Sequence, residues 1–232
     1  IRDKLVTGVQ TCALPIWVFN GQWDRPFGTA AEFSTLPAAQ TVALPKDLSF
    51  EIGASIGIPL MAAMHAVQAC GSLLGKTVLV PGAAGSVGFY VTQLAHMAGA
   101  RVIAIVSSEQ KAQLAKNIGA AEVINYKTES LVDRVQALTN KLGADAIIDV
   151  DAATHAPLYG SLLNLNGKAV VYGSNQPQVS MPFGPMIMGF INIYYFIVYK
   201  LPAQAMQEVL SAVSAVLSAP GDRKSTRLNS SH

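Results

Sequence analysis

The chain has 232 residues, 51% hydrophobic and 13% charged, with a formal net charge of +2. High apolar content with little net charge excludes a disordered chain, and so small a charge excludes a nucleic-acid partner. Two cysteines, Cys12 and Cys70, exclude a disulfide framework or a four-cysteine zinc site within this chain and fit a reducing, cytoplasmic setting.

In chain order, residues 1–16 come first; they and residues 223–232 resemble translated sequencing-adapter read-through and are read as non-native. These ends hold Arg2, Lys4, Arg223, Lys224 and Arg227 against Asp3, so the slight positive balance has no functional meaning. Residues 17–50 are rich in Gly, Pro, Thr and Phe and read as short strands and turns. Residues 51–70 have helical spacing, with Gly71 as the stop. An alternation follows. Strands are expected at 77–80, 101–106, 122–124, 146–150 and 168–172, and helices at 86–98, 108–118, 131–141 and around 157–163. This rhythm implies an α/β fold, a doubly wound parallel sheet covered on both faces, over residues 51–222. The apolar run Ile187 to Tyr199 contains Asn192 and is shorter than the roughly 20 residues that span a bilayer, so a buried strand or helix is expected and no membrane partner. A last helix is expected from Pro202 to Pro220, with Met206, Val209, Leu210, Val213 and Val216 on one side.

The informative motif is Gly82-Ala83-Ala84-Gly85-Ser86-Val87-Gly88. It follows a strand and opens a helix inside a repeated strand–helix pattern, the context such a glycine loop requires. A pyrophosphate must approach the backbone closely, where a Cβ would block it, and its charge is stabilised by free N–H groups at the helix start. Gly85 and Gly88 are read as supplying that close approach and tight helix–sheet packing. The second strand ends at Val106-Ser107-Ser108, without the Asp or Glu that commonly binds the ribose of NAD. Ser107 and Ser108 can donate to phosphate oxygens, and Lys111 offers a compensating charge. NADPH is therefore the expected cofactor.

Further segments carry a family resemblance. The run from Gly71 through the glycine loop, Ile118-Gly119-Ala120-Ala121-Glu122-Val123-Ile124-Asn125-Tyr126 and Gly167-Lys168-Ala169-Val170-Val171-Tyr172-Gly173 are similar to quinone oxidoreductases of the medium-chain dehydrogenase/reductase superfamily. Gly28-Thr29-Ala30-Ala31-Glu32-Phe33 resembles the end of that family's GroES-like lobe, so residues 17–50 are read as a remnant of it and residues 51–222 as the Rossmann domain. The resemblance implies hydride transfer from NADPH to a quinone or an α,β-unsaturated carbonyl, with the chain a fragment that binds NADPH weakly or not at all and turns over poorly. It implies that Ala84, Ser86 and Val87 hold the pyrophosphate; that Ser108, Lys111 and Tyr126 hold the 2′-phosphate; and that Gly173 and Ser174 lie beside the nicotinamide ribose. It also implies a strand near 187–199 that continues the sheet into a second copy, a homodimer.

Departures from the family pattern are local. Ala62 stands where relatives often have Thr near the nicotinamide, and Asp149-Val150-Asp151-Ala152 replaces an Asp followed later by Gly. Zinc-dependent cousins place a ligand where this chain reads Ile58-Pro59-Leu60; His65, His96 and His155 have no metal spacing, so a zinc-independent enzyme is expected. No nucleophile–base arrangement stands out, and no catalytic residue is assigned. The alternatives are a non-enzymatic NADPH-binding protein, sensor or crystallin-like, and an enoyl-thioester reductase of the same superfamily.

Overall fold

A computed structural model describes residues 42–45 and 48–219. The two expected non-native ends, Pro220 and most of the expected lobe remnant lie outside them. The described residues divide into two compact units, one spanning Ala62–Phe196 and the other made of the described residues that flank it.

The Ala62–Phe196 unit holds a six-stranded sheet. Its strands are β1 (Thr77–Pro81), β2 (Arg101–Val106), β3 (Glu122–Asn125), β4 (Ala144–Asp149), β5 (Leu163–Val171) and β6 (Asn192–Tyr195), in the order β3-β2-β1-β4-β5-β6. Every neighbouring pair is parallel. The helices α2 (Ser86–Met97), α3 (Glu109–Asn117) and α4 (Leu131–Leu138) connect the first four strands. This is the expected Rossmann-like α/β fold. Its cause is visible in the strands: Val78, Leu79, Val80, Val102, Ile103 and Ala104 have no exposed surface, as strands covered on both faces must. Leu79, Ile103, Ile124, Ile147, Val135 and Tyr159 belong to one continuous core. Each such aliphatic side chain contributes about 1.5–3 kcal/mol relative to exposure. Chain order reverses between β1 and β4, which leaves a crevice at the carboxyl ends of those strands.

Four expectations are corrected. The helix expected to reach residue 141 stops at Leu138, because Asn140 and Lys141 take left-handed φ values of 51° and 63° and the Thr139 hydroxyl accepts from Gly143 N at 3.0 Å. The single helix expected near 157–163 is instead a series of short turns: α5 (Ala152–His155), a 3-10 turn (Ala156–Leu158) and α6 (Tyr159–Leu162). β5 starts at Leu163, with a register shift against β4 and a left-handed Asn166 at φ 62°. The fourth correction concerns the 187–199 run, expected to be buried. It holds the end of α7 (Phe183–Met188) and then β6, an edge strand whose Tyr194 and Tyr195 are 39% and 52% exposed. An apolar run without clear period does not distinguish a central strand from an edge strand.

In the flanking unit, α8 (Ala203–Ser218) begins after Pro202 and buries Met206, Val209, Leu210, Val213 and Leu217. Leu217, four residues past Val213, takes the place expected of Val216 on the apolar stripe. The long helix α1 (Phe50–Cys70) is broken at Gly57 (φ −40°, ψ −107°), two residues before Pro59. By length and composition α1 could cross a membrane, but half of it is buried within the protein, as a core helix is.

At the amino ends of the strands Asp145 joins three elements. It accepts from Thr77 N at 2.8 Å, Lys76 Nζ at 3.1 Å and Asn164 Nδ2 at 3.0 Å. Burial raises its pKa, but the bonds from Thr77, Lys76 and Asn164 outweigh that and hold the carboxyl below its ordinary value. A depressed folded pKa stabilises above the unfolded pKa of about 3.9 and is lost as pH falls through the folded value. D145N is therefore expected to destabilise by about 1–2 kcal/mol at neutral pH, with the difference shrinking under acid. Thermal melts of both proteins at neutral and acid pH check this; an equal difference at both would contradict it.

Candidate dinucleotide-binding site

The carboxyl edge of the sheet brings the expected residues into three groups. The first is the glycine loop. Gly82 takes φ 67°, a left-handed conformation that favours glycine, while its N–H donates to Ile105 O at 3.0 Å and its carbonyl accepts from Gly85 N at 2.8 Å. Gly85 is the residue before α2 and has no side chain with which to cap it, so the first-turn amides of Ser86, Val87 and Gly88 receive no capping side-chain oxygen from it. Gly85 and Ser86 are exposed, Ala84 and Val87 half-buried, and Gly88 buried. A Cβ on Gly88 would run into the Gly82 carbonyl and lie 3.0 Å from Ala83 Cα. The sequence therefore lets α2 start against the loop itself, with its positive dipole end at the crevice.

The second group lies at the ends of β2 and β3. Ser108 caps α3, its hydroxyl accepting from Lys111 N at 3.4 Å. Lys111 Nζ donates to Ser107 Oγ at 3.2 Å. Tyr126 N donates to Val106 O at 3.1 Å, which sets Tyr126 beside Ser107 across the strand pair; the Tyr126 side chain is 54% exposed. Ser107, Ser108 and Lys111 are thus one cationic and hydroxyl-rich cluster at the surface, with the backbone of Tyr126 held at the neighbouring strand end. Glu109 is exposed in the first turn of α3, the helix end where a carboxylate is favoured.

The third group lies at the ends of β4 and β5. A Cβ on Gly173 would strike the Val150 carbonyl, and Gly173 O accepts from Ala152 N at 3.0 Å. The Ser174 hydroxyl donates to Gln176 O at 2.7 Å. Val150 also approaches the glycine loop, its Cγ1 lying 3.3 Å from where a Gly82 Cβ would be. Val150 therefore bridges the loop after β1 and the loop after β5.

Beneath Val150 lies a polar cluster that sequence patterns did not reveal. Asp149 is fully buried; its Oδ1 accepts from Asp151 N at 2.8 Å and pairs with His155 Nδ1 at 2.8 Å, and its Oδ2 accepts from Tyr159 OH at 2.7 Å. Burial, then the charge of Asp149, raises the Tyr159 phenol above its ordinary value, so it stays a donor. The one available signal was a carboxylate ending the apolar run Ala146-Ile147-Ile148.

Zinc does not fit. Ile58, Pro59 and Leu60 offer no ligand, and among the described residues no three His, Cys, Asp or Glu side chains converge. Burial pushes the Cys70 thiol up to about 12, which disfavours the thiolate a metal needs.

The profile of the zinc-binding dehydrogenase family matches residues 86–215. The chain belongs to the zinc-binding dehydrogenase family. Within the wider medium-chain dehydrogenase/reductase superfamily it is similar to the quinone oxidoreductase of Sus scrofa, 29% identical over 190 residues that make up 81% of this chain and 57% of that one. Among solved structures, a mycobacterial protein in complex with NADPH matches 78% of this chain and 56% of its own at 27% identity and a TM-score of 0.69. A structure named as an NAD-dependent alcohol dehydrogenase matches 78% of this chain and 53% of its own at 28% identity and a TM-score of 0.68. The chain spans about half the length of the curated relatives it matches. The family resemblance seen in the sequence is thus shown, and with it the fold and a nicotinamide dinucleotide as the class of cofactor.

Proposed function

We propose that this chain is the cofactor-binding part of a zinc-independent, NADPH-dependent reductase of quinones or α,β-unsaturated carbonyls. The observation that carries the cofactor choice is the Lys111–Ser107 pair beside Ser108 and Tyr126, at the strand end where an NAD site commonly places a carboxylate. The quinone oxidoreductase relatives support the substrate class.

In this reading the amides of Ser86, Val87 and Gly88 bind the pyrophosphate, with Ala84 lining the loop. Ser107, Ser108, Lys111 and Tyr126 hold the 2′-phosphate, and Gly173 and Ser174 border the nicotinamide ribose. Bound NADPH supplies the hydride; the protein binds and orients it. The glycine loop fixes the middle of the dinucleotide at the switch point. The groups on β2–β3 and β4–β5 fix its two ends on either side. All three groups lie within the Ala62–Phe196 unit, which favours weak binding by this chain over none. A cytoplasmic setting belongs to the same reading, supported by the free thiol of Cys70. So does a homodimer, supported by the edge position of β6 and by the exposed Phe183, Ile187 and Met188 beside it; sedimentation as a monomer at all concentrations would contradict it.

The test is steady-state oxidation of NADPH by the product of the parent gene, with benzoquinone, a cyclic enone and an enoyl thioester as acceptors. Acceptor-dependent oxidation with quinone or enone is expected. Turnover with the enoyl thioester alone, or tight NADPH binding with no turnover on any acceptor, would contradict the substrate reading.

A further inference from the structure

The parallel ladder between β4 and β5 runs on past the strands. Tyr172 N donates to Asp149 O at 3.0 Å, and Ala152 N donates to Gly173 O at 3.0 Å. At the next rung α5 has begun, and its carbonyls turn into the helix. The Asp151 side chain stands there instead. Its Oδ1 accepts from Asn175 N at 2.9 Å, and its Oδ2 accepts from Asn175 Nδ2 at 2.9 Å and from Thr154 Oγ1 at 2.7 Å. One carboxylate thus grips both the backbone and the side chain of Asn175. Burial raises the Asp151 pKa, while the bonds from Thr154 and Asn175 more than offset it, so the carboxyl is ionised at neutral pH. After Asn175 the chain is irregular and largely exposed as far as Pro182.

We propose that Asp151 is a positioning residue. By holding Asn175 it keeps the Gly173–Ser174 strand end pressed against Val150, and so fixes the nicotinamide half of the dinucleotide cradle. Val150 is the hinge of this arrangement, because it touches both the glycine loop and Gly173. A carboxylate at this turn replaces the rigidity that a continued backbone ladder would give. It acts on one half of the cradle only: the cluster of Ser107, Ser108, Lys111 and Tyr126 sits on β2 and β3, on the other side of β1 from β4. The proposal rests on the dinucleotide reading above.

That asymmetry supplies the test, on the chain as it stands. Binding of NADPH and of adenosine 2′,5′-bisphosphate, which carries only the adenosine half, is titrated by NMR shifts for wild type, D151A and the swapped pair D151N/N175D. D151A is expected to weaken NADPH about tenfold, the scale of one lost hydrogen bond to a charged acceptor, and to leave the bisphosphate within twofold. The swap is expected to recover most of the loss. The amide introduced at position 151 still accepts from the backbone N–H at position 175 and donates to the carboxylate introduced there. A D151A protein that binds NADPH as wild type does, or that loses both ligands equally, would overturn the positioning role while leaving the dinucleotide site in place. A wild-type chain that binds neither ligand would overturn the dinucleotide reading and the positioning role together.

Discussion

Replacing Gly88 by alanine is expected to weaken NADPH binding by at least a hundredfold while the secondary structure survives. The added Cβ would meet the Gly82 carbonyl and the Ala83 Cα, which are backbone and cannot rotate aside. Either α2 moves away from the sheet or the loop moves into the crevice. Both displace the amides of Ser86 and Val87 from the path of the pyrophosphate. Overpacking of this kind costs about 1–3 kcal/mol, a fall in Tm of several degrees for a chain of this size. Gly85→Ala makes a useful contrast. Its Cβ would lie 3.1 Å from the same carbonyl, tight but not prohibitive, and at φ −82° without backbone strain. It is expected to lower Tm little while still crowding the ligand. Titration of NADPH with far-UV circular dichroism and thermal melts checks the pair. A G88A protein that binds as wild type does would show that the loop does not carry the cofactor.

The second large effect is expected at the other end of the dinucleotide. K111E is expected to reduce NADPH affinity about a hundredfold and to change NADH affinity no more than about threefold. Lys111 Nζ is held by Ser107 and is exposed, so its charge is presented to solvent at the carboxyl edge, with no ion pair to it among the described residues. A charge-assisted bond to a phosphate is worth about 1.5–3 kcal/mol, and reversing the charge adds repulsion. The backbone of Lys111 also donates to the Ser108 cap, but a side-chain change leaves that bond intact. Loss of both ligands in equal measure would place Lys111 outside the phosphate site.

How much of this was legible in the sequence follows from which forces act locally. β1 and β2 were readable because Val78-Leu79-Val80 and Val102-Ile103-Ala104-Ile105-Val106 are unbroken apolar runs, closed by Gly82 and by Ser107-Ser108. The glycine loop was readable because its constraint is steric and falls on single residues. The β2-end cluster was readable in part: Ser107, Ser108 and Lys111 lie within one helical turn, whereas Tyr126 joins them only through pairing of β2 with β3. Asp149 was not readable as an anchor, because its partners His155 and Tyr159 reach it only after the turns of α5 and α6 fold back under β4. The exposure of residues 187–195 was hidden for a different reason. Aromatic and β-branched residues suit a central strand and an edge strand equally, and sheet order decides between them.

The central claim is that the carboxyl edge of this sheet is a dinucleotide site selective for the 2′-phosphate. It is tested most directly by titrating the chain with NADPH and with NADH under identical buffer and salt, by calorimetry or NMR. The expected result is saturable, one-to-one binding of NADPH at least tenfold tighter than that of NADH. Equal affinity for the two, or preference for NADH, would contradict it.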